Sequence, residues 1–194
     1  DAAFDPSEVE AERTVVIAER EGSENEPRYV LGEELTATAF RVHPYHHETI
    51  GDMVDLETIT REQLWNHYQT YYGPNNAIAV VVGDFETSRM LARIEELFGP
   101  LPARSNPPQV VRPEPPQRGE RRVNLEGPGN TSYLQVAYHA PAASDPDFMP
   151  MTVLTTILTG AAGMNLFSSS PPNRSSRLYR ALVETGLAVS LSGS

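Results

Sequence analysis

The chain has 194 residues, of which 39% are hydrophobic, a formal net charge of −11 and no cysteine. This is enough for one large domain or two lobes; it excludes disulfides and thiolate chemistry and leaves histidines and carboxylates as the only strong metal donors. The charge is uneven: residues 1–99 hold 20 acids against 7 arginines, and residues 100–194 hold 6 against 8, an acidic first half that argues against nucleic-acid binding, and no run approaches the ~18 apolar residues of a membrane span.

The first expected element is a helix over 7–20, with Ser7 as N-cap and acids crowding its first turn. On a 3.6-residue period, Glu12, Val15, Val16 and Glu19 occupy one stripe. The two valines assign that stripe to the core, which would leave two carboxylates about 10 Å apart and partly desolvated. Buried carboxylates call for a metal, a cation or a proton. The competing reading is a solvated acidic helix with valines packed at its edge.

Pro27 suits the first turn of a second helix, 28–40. A loop follows, with His43, His46 and His47 near Glu48 and Asp52. Pro44 breaks the helix that a metal-binding His spacing would need, so these histidines read as packing or surface groups. Thr60-Arg-Glu-Gln63 is a capping box opening a helix around Leu64, Trp65 and Tyr68. The apolar run 77–82 reads as a buried strand, and 87–97 as a helix closed by Gly99-Pro100.

Seven prolines between Pro100 and Pro116 favour extended backbone and mark 100–119 as a linker. Beyond it, 121–126 and 133–139 alternate like paired strands. A helix is expected from Asp145-Pro-Asp147 to Leu158, a Gly/Ser/Pro-rich loop over 160–173, a helix capped by Ser175 running to Glu184, and a last strand over 187–191. Helices in blocks between strands favour an α+β two-layer sandwich, with a mainly antiparallel sheet and helices on one face.

Glu12-Arg-Thr-Val-Val-Ile-Ala-Glu19, His43-Pro-Tyr45, Thr60-Arg-Glu-Gln-Leu64, Tyr72-Gly-Pro-Asn-Asn76, Val80-Val-Val-Gly-Asp84, Phe98-Gly-Pro-Leu-Pro102 and Ser176-Arg-Leu-Tyr-Arg-Ala-Leu-Val183 follow one another along the chain. In this order and spacing they resemble the pitrilysin/insulinase/mitochondrial-processing-peptidase family of zinc metallopeptidases. The resemblance implies tandem α+β lobes: 1–99 as the C-terminal part of the first, 100–119 as linker and 120–194 as the N-terminal part of the second. It also implies a zinc site whose two histidines and water-activating glutamate come from an inverted His-x-x-Glu-His motif. The third ligand is the second glutamate of a Glu-x₆-Glu pair, which places Glu19 as the metal ligand and Glu12 as the accessory catalytic acid.

No His-x-x-Glu-His occurs in the sequence, so the motif is expected before Asp1, and the isolated chain is expected to hold no zinc tightly and to cleave nothing alone. Some family members grip substrate with an arginine and a tyrosine near Gly186. Those places resemble Val183 and Val189 here, and that role is not carried over. The functional expectation is a segment of a zinc metalloendopeptidase acting on peptides or small proteins. The alternative is a non-catalytic partner subunit shaping a peptide-binding chamber with a second family domain. A bacterial source is expected, with cytoplasm and periplasm both open.

Overall fold

The computed structural model describes residues 2–160 and 174–193. The chain forms two compact units, Asp1–Ala137 and Tyr138–Ser194.

The first unit opens with α1, Pro6–Glu24. Its cap is Asp5 rather than Ser7: the Asp5 carboxylate accepts from the Ser7 backbone N–H at 2.9 Å and its hydroxyl at 2.5 Å, while Pro6 fills the first helical position, where no N–H is needed. After a short turn comes α2, Pro27–Ala39, again with proline leading. A 3-10 turn at Pro44–His46 and the short α3, Met53–Thr58, lead to α4, Arg61–Tyr71. The capping box that opens α4 forms as expected: Gln63 N–H donates to the Thr60 hydroxyl at 3.2 Å, and Thr60 N–H donates to the Gln63 side chain at 2.7 Å. The last helix of the unit is α5, Thr87–Phe98, capped by Glu86, which accepts from the N–H groups of Ser88 and Arg89.

Arginines hold this unit together. Arg13 of α1 donates to Leu56 O and Ile59 O, the orphan carbonyls at the end of α3. Arg104 donates to Tyr68 O at 2.8 Å near the end of α4 and lies over the Tyr68 ring. Arg121 donates to Thr38 O and Ala39 O at the end of α2. In each case a cation meets the negative end of a helix; Arg13 and Arg121 take carbonyls at the helix ends, and Arg104 adds a second donor to Tyr68 O, which also accepts from Tyr72 N–H at 3.0 Å. Around α4, Phe4, Trp65 and Tyr68 stack with ring centroids 5.4–5.9 Å apart.

The proline-rich stretch is tied at its start, where Arg104 N–H donates to Asn75 Oδ1 at 2.9 Å, and again at Glu114. Glu114 accepts from the backbone N–H groups of Arg41, Val42 and His43 at 2.8–3.0 Å, across more than 70 residues of sequence. Partial desolvation pushes this carboxyl upward, but the N–H groups of His43, Arg41 and Val42 and the nearby Arg121 charge outweigh it and hold the pKa at about 2. A depressed folded-state pKa means that the clamp is complete above the ordinary value of 4.5 and is lost as the pH falls toward about 2. The amide signals of Arg41, Val42 and His43 should therefore titrate together with a midpoint near 2, and Glu114→Gln should abolish that titration. A midpoint near the ordinary carboxylate value would show the clamp to be absent.

In the second unit, α6 spans Phe148–Thr159 and stops at Gly160, whose φ of 99° suits only glycine without strain. A single π-helical turn, Tyr179–Val183, takes the place of most of the helix expected up to Glu184. The loop expected over 160–173 lies, from 161 onward, outside the described residues.

The expectation of an α+β sandwich with an antiparallel sheet is overturned: among the described residues there is no strand. The segments 77–82, 121–126, 133–139 and 187–191 are apolar or alternating as expected, yet none pairs with a neighbour. A strand exists only where a ladder takes up its N–H and C=O groups and a face is buried. Neither condition is met here: Ile78 is 94% exposed, Val82 91% and Val189 98%. Residues 133–135 instead reach α2 by side chains, with Gln135 donating to Arg28 O at 3.2 Å and Arg28 lying over the Tyr133 ring.

Candidate functional site on the first helix

Glu12 and Glu19 lie two turns apart on α1, and both are exposed, as is Val15 between them. The expected burial of this stripe is therefore corrected. The face of α1 that packs is the neighbouring one, carrying Val9, Arg13, Val16, Ile17 and Arg20. Helix α1 meets α3 and α2 along it. The side chains of Glu12 and Glu19 make no hydrogen bond or ion pair among the described residues, whereas Glu10 is paired with Arg13, and Glu24 and Glu33 with Arg20. Of the six acids of α1, Glu10 and Glu24 are thus held by arginines, while Glu12 and Glu19, like Glu8 and Glu21, have no side-chain partner among the described residues.

Arg20 is the buried cation of the unit, 6% exposed. Its guanidinium donates to Glu33 at 2.6 and 2.8 Å, to Glu24 at 2.8 Å and to the Tyr29 hydroxyl at 2.9 Å. Burial alone would lower its pKa; the carboxylates of Glu33 and Glu24 more than reverse that and raise it. The sequence carried one sign of this role, the doubled Glu-Arg step at Glu12-Arg13 and Glu19-Arg20.

The histidine loop does not gather into a metal centre. The His43 ring accepts from Tyr45 N–H and packs between Phe40 and Tyr45. The Nε2 atoms of His46 and His47 face each other at 2.5 Å, with His47 Nδ1 3.9 Å from Asp52. His67 stacks on Tyr71. Among the described residues no three His, Cys, Asp or Glu side chains stand close enough to hold a metal ion. The donors on α1 fit one carboxylate corner of a zinc site and do not fit a complete one, which needs at least three protein ligands. A cleft of about 490 Å³ lies elsewhere, beside the Glu114 clamp, lined by Arg41, Arg118 and Arg121, and takes in neither glutamate. In the second unit, Val183 sits in the π-helical turn and Val189 is exposed.

The family profile described as "Peptidase M16 inactive domain" matches residues 58–194. Zinc protease PqqE of Helicobacter pylori is 30% identical over 151 residues, covering 76% of this chain and 34% of that protein. An uncharacterized zinc protease of Mycobacterium leprae is 28% identical over 168 residues, covering 82% and 36%. A probable mitochondrial-processing peptidase subunit beta of Arabidopsis thaliana is 25% identical over 157 residues, covering 80% and 30%. The chain thus spans about a third of the length of these relatives. The crystal structure of a protease from Helicobacter pylori superposes with a TM-score of 0.79 at 26% identity, covering 94% of this chain and 42% of that one. None of the described helices is long and apolar enough to cross a membrane. With the profile spanning most of its length and a zinc protease 30% identical across three quarters of it, the chain belongs to the M16 family of zinc metallopeptidases.

Proposed function

We propose that this chain supplies the carboxylate side of a zinc peptidase centre whose remaining ligands lie outside it. The observation that carries the reading is the spacing on α1: Glu12 and Glu19 stand two turns apart on one exposed face with no protein partner among the described residues, whereas Glu10 and Glu24 of the same helix are held by Arg13 and Arg20. Glu19 is the metal ligand in this reading. Glu12, one turn from the middle of the same stripe, tunes or orients the site. When bound, zinc supplies Lewis acidity toward the scissile carbonyl and its water; the substrate is a peptide or small protein.

A second reading is favoured by one observation for part of the chain. The profile that covers 58–194 is that of an inactive domain, and α1 precedes it. Residues 58–194 then serve as a non-catalytic wall of a peptide chamber, shared with a second family domain or subunit, and the chemistry belongs to α1 alone.

The test starts with the chain as it stands. After dialysis against metal-free buffer, elemental analysis is expected to find far less than one zinc per chain, because one or two carboxylates do not make a structural or catalytic zinc site. One tightly held zinc per chain would overturn the division of ligands proposed here.

A further inference from the structure

Adjacent residues on a helix are about 100° apart around its axis. The arginines that follow the two acids, Arg13 and Arg20, therefore form a second stripe beside the Glu12–Glu19 stripe, with the same two-turn spacing. This second stripe faces the protein. Arg13, whose side chain is 16% exposed, is fixed by Leu56 O at 2.5 Å on α3 and by Ile59 O at 2.6 Å, the residue that caps it. Arg20 is fixed by Glu33 and the Tyr29 hydroxyl on α2 and by Glu24 on its own helix. The apolar residues between them, Val16 and Ile17, are only half-buried, and apolar contact has no preferred direction. Guanidinium forks do have one, because their donors lie in a plane and accept a partner from few angles.

We infer that Arg13 and Arg20 are positioning residues: two forks, on two different partner elements, set the roll of α1 and so hold the carboxylates of Glu12 and Glu19 on its open face. The functional consequence rests on the reading of Glu19 as a metal ligand; the roll itself does not. The leverage is large. A carboxylate about 6 Å from the helix axis moves about 2 Å for a roll of about 20°, roughly ten times the ±0.2 Å that a metal–ligand distance tolerates.

The chain has no cysteine, so single thiols report the roll directly. Val15 is on the open face and Val16 on the half-buried one. Alkylation of Val15→Cys is expected to outpace that of Val16→Cys by about tenfold, since access limits a thiol's reaction. In an Arg13→Met/Arg20→Met background the two rates should converge to within about twofold as the helix rolls freely. Arg20→Lys in place of Arg20→Met should restore part of the difference, because an ammonium still reaches Glu33 but lacks the fork. A merely structural role would lower the melting temperature and leave the rate ratio of the folded protein unchanged. That outcome, with helical circular dichroism retained, would overturn the inference. If the double variant loses its helical signal, the exchanged pair Arg20→Glu/Glu33→Arg decides: a restored ratio supports the inference, and a helical protein with equal rates sinks it.

A parallel arm in a longer polypeptide that carries the remaining ligands separates this inference from the metal reading. Arg20→Met should lower zinc affinity by about tenfold or more and Arg20→Lys by less. Should Glu19→Gln there leave zinc untouched, the metal reading falls while the thiol rates still judge the arginines.

Discussion

Glu19→Gln, made in a polypeptide that also contains the histidine ligands, is expected to lose zinc and peptide hydrolysis together, while Glu12→Gln keeps most of its zinc. A carboxylate brings to the metal both a lone pair and a full negative charge. An amide of the same shape brings only a weak carbonyl donor, and half of its rotamers present an NH₂ group instead. If Glu19 is one of three protein ligands, as proposed, removing it leaves a site with too few donors, and a loss of about 100-fold or more in affinity is expected at position 19. Glu12 lies two turns away on the same exposed face of α1. A group at that remove acts on the metal through the field and through bridging hydrogen bonds, whose loss costs about 10–100-fold in affinity or activity. Zinc content by elemental analysis and hydrolysis of a quenched fluorescent peptide, measured on the same preparations, distinguish the two. Equal zinc loss in both variants would make both glutamates direct ligands. Full zinc and activity in Glu19→Gln would return α1 to an acidic surface helix.

The helices were legible because their signals are local. Pro27 at the first position of α2, the Thr60/Gln63 capping box of α4 and the Gly99-Pro100 stop after α5 each act within a few residues, and each helix forms. The strands were not legible in the same way. An apolar run states that a segment prefers to be buried; it does not contain the partner that would bury it. The partners of the long-range clamps left no pattern, since Glu114 meets residues 41–43 and Arg13 meets 56 and 59.

The face of α1 was misread for a definite reason. Val15 and Val16 are adjacent, so either can define the apolar stripe. The expected stripe took both valines together with Glu12 and Glu19; the packed face instead runs through Val16 and the neighbouring arginines, and Arg13 and Arg20 spend their donors on the end of α3 and on α2. The structure corrects which way Glu12 and Glu19 face, outward rather than toward the core.

The isolated chain is expected to bind a hydrophobic dye such as ANS strongly and to unfold in urea over a broad range. Among the described residues no hydrophobic side chain is fully buried. Ile78, Val80, Val82, Leu134 and Val189 are each at least 79% exposed. Burying a side chain of this size contributes about 1.5–3 kcal/mol, so these five alone forgo about 8–15 kcal/mol. That is as large as the whole stability of an ordinary domain, about 5–15 kcal/mol. Arginine clamps do not replace it: each hydrogen bond to a charged group contributes about 1.5–3 kcal/mol net, and the ordering of the long side chains opposes it. Helical circular dichroism should therefore persist while tertiary cooperativity is weak, with a urea slope below the ~1–3 kcal/mol/M of small two-state proteins. Dye fluorescence should fall when 77–82 is made polar by Ile78→Thr, Val80→Thr and Val82→Thr, with little change in helical signal, because these side chains already stand in water. A chain that ignores the dye and melts in one steep transition would show that 77–82 and 187–191 are covered in solution, and that the arginine-held arrangement is not what carries its stability.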